Sequence, residues 1–238
     1  MLVSHRKKFI FTKTIKTAGT SVESYYEPFC MPEGTWKHTH MRDEYISEAG
    51  IIGRRGRREN IPEDCQFTNH MPAAQIKELV GDEIWNDYFK FTVIRNPFSK
   101  LVSAWYHFHK PATTYLQTFA AALKTPKSSP LLLTDRRDIV DFRSWLQQGG
   151  TVIDRNKYLI KDKICVDFFI RQEFLEEDIL KVNTRLGIDP GDRTIPRLKT
   201  NIRDKKFKTR EFYNSKVEAI ARKQFAIEFK LFNYDMPQ

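Results

Sequence analysis

Twice in this chain a short run of apolar, β-preferring residues leads directly into a helix-start signal. Lys8-Phe9-Ile10-Phe11-Thr12 gives way to Lys13-Thr14-Ile15-Lys16-Thr17-Ala18-Gly19, and then to a helix-like stretch from Thr20 through Tyr26. Phe89-Lys90-Phe91-Thr92-Val93-Ile94 is followed by Arg95-Asn96-Pro97 and the apolar stripe Leu101, Val102, Trp105, Tyr106. The proline restrains Asn96 to extended geometry, suits it to the N-cap, and itself fits the first helical position. The alternation therefore predicts an α/β domain with a central, mostly parallel sheet flanked by helices.

Other segments fit this frame. Pro72 stands where a first helical residue belongs, with Ile76, Leu79 and Val80 at helical spacing behind it. Ile164 to Ile170 reads as a further strand, and Glu173 to Leu186 as a helix stopped by Gly187. Ser215-Lys216-Val217-Glu218 has the pattern of a capping box, opening a helix with the stripe Val217, Ile220, Ala221, Phe225, Phe229 and Phe232. Residues 28–68, broken by Pro28, Pro32 and Pro62, read as loops with one short helix around 42–48. Residues 111–135 read as a partly helical surface excursion. A single domain over 1–238 is expected, with 28–68 and 111–160 its most variable, acceptor-side parts.

Composition excludes several classes. The 238 residues are 40% hydrophobic with eighteen Phe, enough for a packed core. Cys30, Cys65 and Cys165 are too few and too scattered for a disulfide framework, which points to a reducing compartment. No apolar run nears the roughly 18–20 residues that span a bilayer. His5-Arg6-Lys7-Lys8 interrupts any leader-like stretch, so the expectation is a soluble, cytoplasmic protein. The formal charge of +10 and pI of about 9.4 suit an acidic partner without naming it.

The first strand–loop–helix would place Lys16, Thr17, Ala18, Gly19, Thr20 and Ser21 at a positive helix end. There backbone N–H groups, two hydroxyls and a mobile ammonium form an anion cradle, with Gly19 allowing close approach of a ligand. The order G-x-x-x-x-G-K-[ST] is missing, so this is not a Walker A loop; an N-capped helix with an exposed lysine remains the plain alternative. At the second strand end, Arg95 could aim its fork at another phosphate and Ser103, about two turns into the helix, could donate a hydroxyl. A carboxylate partner for Arg95 and simple packing for Ser103 are the competing uses.

Together, Lys16-Thr17-Ala18-Gly19-Thr20-Ser21 and Arg95-Asn96-Pro97-Phe98-Ser99-Lys100-Leu101-Val102-Ser103 resemble the two nucleotide motifs of the sulfotransferases that use 3′-phosphoadenosine-5′-phosphosulfate (PAPS). The likeness is to the family-2, carbohydrate sulfotransferase-like type, whose motifs read I-P-K-T-[AG]-G-T-S and R-N-P-x-x-R-L-V-S. This chain departs at Thr14-Ile15, where the family has Ile-Pro, and at Lys100, where it has Arg. His70-Met71-Pro72-Ala73 resembles the family's H-x-P-A segment, and Phe168 to Asp178 its later strand–helix block.

The resemblance implies a three-layer P-loop-type fold and transfer of a sulfuryl group from PAPS to an acceptor hydroxyl, expected to belong to a carbohydrate or other small alcohol. Sulfuryl transfer should be in-line like phosphoryl transfer and metal-independent, because the moving group carries less charge. Lys16 would stabilise the leaving oxygen. His70 would act as the general base, with Glu23 as its substitute. Arg203, in a basic stretch, is a further nucleotide contact implied by the family. A P-loop small-molecule kinase and a basic nucleic-acid-binding module are the alternatives; the first lacks a Walker A sequence and the second any recognised motif. His38-Thr39-His40 has no clear partner set for a metal, and His107 and His109 face different sides of a helix. No metal and no nucleic-acid partner are expected. Trp36, Trp105 and Trp145 could stack on sugars but suit core packing. Arg54 to Arg58 could meet an anionic acceptor or remain solvated.

Overall fold

The structure is a computed structural model describing residues 1–39, 41–56, 61–109, 130–191, 193–196 and 207–237, with backbone alone for 130–136. The chain divides into two compact units, Met1–Arg95 with Asp154–Leu198, and Asn96–Ile153 with Lys199–Gln238.

The first unit holds a six-stranded sheet. Its strands are β1 (Leu2–Ser4), β2 (Phe9–Thr12), β3 (Tyr45–Ser47), β4 (Gly50–Ile52), β5 (Phe89–Ile94) and β8 (Phe168–Arg171), ordered β3-β4-β1-β2-β5-β8. Between β5 and β8 in sequence, β6 (Leu159–Ile160) and β7 (Lys163–Ile164) form a separate hairpin. Pairing is parallel for β2 with β5 and β5 with β8, and antiparallel for β1 with β2, β1 with β4 and β3 with β4. The sheet is thus mixed rather than mostly parallel. The expected parallel half is the part that carries the loop at the end of β2 and Arg95 after β5.

The antiparallel half corrects the reading of residues 28–68, where a helix was expected around 42–48. Tyr45-Ile46-Ser47 and Gly50-Ile51-Ile52 instead pair across Glu48-Ala49. Gly50 makes this possible, since a Cβ there would lie 2.2 Å from the Val3 carbonyl oxygen.

Helices cover both faces because β2 alternates. Phe9 and Phe11 pack with Val22 and Tyr26 of α1 (Gly19–Tyr26) and with Ile179 and Val182 of α5 (Leu175–Leu186). Ile10 packs the other way, with Ile76 and Trp85 of α2 (Ala73–Asp87). Each fully buried Phe of β2 contributes on the order of 1.5–3 kcal/mol relative to exposure. Pro72 caps α2 rather than starting it, and Gly81 (φ 82°) kinks it. The stop at Gly187 holds, with Gly187 left-handed at φ 59°.

In the second unit, α3 (Pro97–Phe108) starts as expected, with Asn96 Oδ1 accepting from the Phe98 N–H at 3.1 Å. Phe142 of α4 (Pro130–Gln147) lies 5.3 Å from the Tyr213 ring and 6.3 Å from Trp105. The final helix is capped one residue earlier than expected, by Asn214, whose Oδ1 accepts from the Val217 N–H. It breaks at Phe225 into α6 (Ser215–Gln224) and α7 (Ala226–Phe232). Lys100 is buried, its ammonium 5.8 Å from the Phe225 ring. Trp105 is buried as well, and Gly150 leaves room for the Trp145 indole.

Candidate active site

The loop from Lys13 to Ala18 joins β2 to α1 in an unusual backbone conformation. Lys16 and Ala18 both adopt left-handed φ, at 61° and 65°. Left-handed geometry is costly for residues with a Cβ, and it gathers at sites that bind ligands. Alternation of this kind turns successive N–H groups toward one concave side, and Gly19 and Thr20 begin α1 with N–H groups at its positive end.

Lys13, Thr14, Ile15 and Lys16 are each held by a different partner outside the loop. The Lys13 ammonium turns away from the loop to the Glu23 carboxylate at 2.6 Å. Thr14 Oγ1 donates to the Val93 carbonyl oxygen of β5 and lies 2.8 Å from Thr17 Oγ1. The Ile15 N–H donates to Asp154 Oδ2 at 2.5 Å. Arg95 Nη1 donates to the Lys16 carbonyl oxygen at 3.3 Å. Lys16 and Thr20 are partly exposed, whereas Thr17 and Ser21 are buried.

The Thr17 hydroxyl is engaged inside the loop with Thr14. Gly19 is not left-handed and serves packing: a Cβ there would lie 3.0 Å from Lys13 Cγ and 3.3 Å from the Thr14 oxygen. Glycine lets the Lys13 stem pass under the helix start.

His70 comes to the same loop from 57 residues away, its Nδ1 3.0 Å from the Lys13 carbonyl oxygen. A carbonyl can only accept, so Nδ1 carries the proton and Nε2 keeps its lone pair. Burial first, and the Lys13 ammonium second, push the His70 pKa from 6.5 down to about 3. The ring is neutral, as expected, but through burial more than through the positive end of α2.

Glu23 does something other than its sequence position suggested. It is fully buried and meets Lys13, Arg55 Nη1 at 2.7 Å and the Met1 α-ammonium at 3.2 Å. Burial alone would raise its pKa, but the three cations outweigh it and hold the carboxyl well below the usual range. Arg55 also reaches Glu27 at 2.5 Å, and the Trp36 indole N–H donates to the same carboxylate at 3.1 Å. A residue of the basic cluster 54–58 is therefore spent beneath the loop instead of facing an acceptor; Arg57 and Arg58 lie outside the described residues.

The structure brings the Lys16 loop, Arg95 and His70 together within the first unit. Ser103 lies partly exposed on α3 of the second unit. Arg203 lies outside the described residues. Sequence reasoning missed Asp154, Lys13 and Arg55. For Asp154 no local signal exists, because its partner is 139 positions away.

The model of the Sulfotransferase family matches residues 1–235. The chain belongs to the sulfotransferase family. A protein of Archaeoglobus fulgidus, described only as uncharacterized, is 26% identical to this sulfotransferase over 118 residues, 50% of this chain and 83% of its own length. No solved structure matches it. Transfer of a sulfuryl group is the activity the family supports, and the kinase and nucleic-acid alternatives gain nothing from it. No helix among the described residues is long and apolar enough to cross a membrane.

Proposed function

We propose that this sulfotransferase takes its sulfuryl group from PAPS and transfers it to a hydroxyl of a carbohydrate or other small alcohol. The observation that carries this reading is the loop itself. Two left-handed residues, Lys16 and Ala18, stand at the start of α1, with Arg95 and His70 hydrogen-bonded to its carbonyl groups. An anion fits such a concavity, and the basic side chains beside it suit a donor bearing several negative charges. Bound there, PAPS supplies the sulfuryl group and leaves as adenosine 3′,5′-bisphosphate.

The chain's own groups divide the work. Lys16 and the amides of Ala18, Gly19 and Thr20 hold the anionic end, and Lys16 offsets the charge that grows on the leaving oxygen. His70 accepts the acceptor's proton at Nε2, since Nδ1–H is committed to the Lys13 carbonyl. The negative charge of a bound donor would raise the basicity of His70 from its depressed value. Arg95 and Ser103 are assigned the 3′-phosphate on the sequence motif. Glu23, buried under three cations, is not the base.

The test is a transfer assay with labelled PAPS against a panel of mono- and oligosaccharides and simple alcohols, run with wild type and Lys16→Ala. Label incorporated by wild type and lost in the variant supports the reading. Wild-type transfer undiminished in the variant would overturn the role of the loop.

A further inference from the structure

We propose that Asp154 is a positioning residue that fixes the donor loop through the Ile15 amide. The proposal rests on the reading of Lys13–Ser21 as the donor site. Asp154 is 6% exposed and stands at the start of the single-turn helix Arg155–Lys157. An Asp at such a position ordinarily turns its carboxylate onto its own helix. Here it makes no such bond: its main-chain oxygen accepts from the Lys157 N–H at 3.1 Å, while its Oδ2 accepts from Ile15 at 2.5 Å. The carboxylate reaches across to the loop in place of closing its own turn.

Ile15 precedes Lys16, whose left-handed φ of 61° needs external support. Thr14 is fixed by Val93 and the Lys16 carbonyl by Arg95, so the Ile15 amide is the loop's point of attachment toward residue 154. The family motif carries proline at this position, which has no N–H and a preset φ. With isoleucine, the loop loses that stiffness and gains a donor, and Asp154 uses the donor. The turn that bears Asp154 is itself anchored, since Tyr158 is buried against the Phe169 ring at 5.6 Å.

A carboxylate beside an anion site has a second conceivable use, as a charge that competes with the donor. The two uses predict opposite results. Asp154→Asn keeps an oxygen for the Ile15 N–H and removes the charge, whereas Asp154→Ala removes both.

For positioning, Asp154→Ala should weaken binding of adenosine 3′,5′-bisphosphate by about tenfold or more and raise the KM for PAPS, with the acceptor KM unchanged. Asp154→Asn should restore the affinity to within about threefold. Residue-resolved amide exchange, measured without nucleotide, should show Ile15 exchanging about tenfold faster in the Ala variant and near wild type in the Asn variant. Equal affinity and equal exchange in all three proteins would overturn the proposal, as would tighter nucleotide binding in both variants. Failure of the wild-type protein to bind the nucleotide overturns the donor reading instead, and the exchange comparison still decides whether Asp154 holds the loop.

Discussion

Nδ1 of His70 lies 3.0 Å from the main-chain oxygen of Lys13, whose side chain runs the other way to Glu23 at 2.6 Å. One residue therefore orients the proposed base with its backbone and joins the buried ion cluster with its ammonium. That ammonium also disfavours protonation of the ring it positions.

The catalytic consequence is direct. His70→Ala should lower kcat by roughly 10²–10⁴ while leaving affinity for adenosine 3′,5′-bisphosphate within about threefold. Because the neutral ring is the active form and its pKa is lowered to about 3 in the donor-free protein, the acid limb of kcat/KM for PAPS should fall far below the ordinary histidine value of 6.5. A pH profile with its inflection near 6.5 would contradict the role.

Stability should show the same group with a defined sign. Unfolded, His70 takes a proton below pH 6.5, which the folded ring resists until about 3. Stability is then fully present above 6.5 and falls by roughly 1.4 kcal/mol per pH unit beneath it. His70→Asn keeps a donor for the Lys13 carbonyl and does not titrate, so its denaturation midpoint should fall less between neutral pH and pH 5. Below the usual carboxylate range Glu23 adds a second loss, since its folded pKa is depressed. At neutral pH, Glu23→Gln should cost about 3–5 kcal/mol in chemical denaturation, because Lys13 and Arg55 lose the charge that matches them.

Lys16 should matter more to turnover than to product-nucleotide binding, as its charge is most needed when the leaving oxygen becomes anionic. Lys16→Ala should lower kcat by on the order of 10²–10³, by comparison with loss of an oxyanion donor. Single-turnover kinetics on Lys16→Met with a near-normal rate would remove the lysine from the mechanism.

Arg95→Ala should cost about 1.5–3 kcal/mol of nucleotide binding, or roughly 10- to 150-fold in Kd. The arginine also holds the Lys16 carbonyl, so the catalytic defect should exceed the binding defect. Ser103→Ala should cost about 1 kcal/mol. Unchanged affinity of the Arg95 variant in an equilibrium titration would sink the 3′-phosphate assignment.

What the sequence showed plainly was what adjacent residues decide. Asn96 before Pro97, Gly187 after Leu186 and the run from β2 into α1 are local signals, and each sits within a residue of its expected place. The hairpin Tyr45–Ile52 was hidden because β3 and β4 are three residues each and β4 takes its place in the sheet by pairing with the distant β1. Arg55 looked like one of several surface cations, and only the fold shows Glu23 and Glu27 beneath it. At Gly19 the space that a Cβ would need is taken by the Lys13 stem, a constraint that the motif does not mark. In each case the deciding partner is distant in sequence or is a buried side chain that no motif marks.

The central claim, that the Lys13–Ser21 loop is a PAPS site, is tested most directly by calorimetric titration of the wild-type protein with adenosine 3′,5′-bisphosphate, beside ATP with Mg²⁺. The account predicts saturable binding of the bisphosphate, weakened at least about tenfold by Arg95→Ala, and no comparable binding of ATP. Binding of ATP with Mg²⁺ in place of the bisphosphate would contradict it.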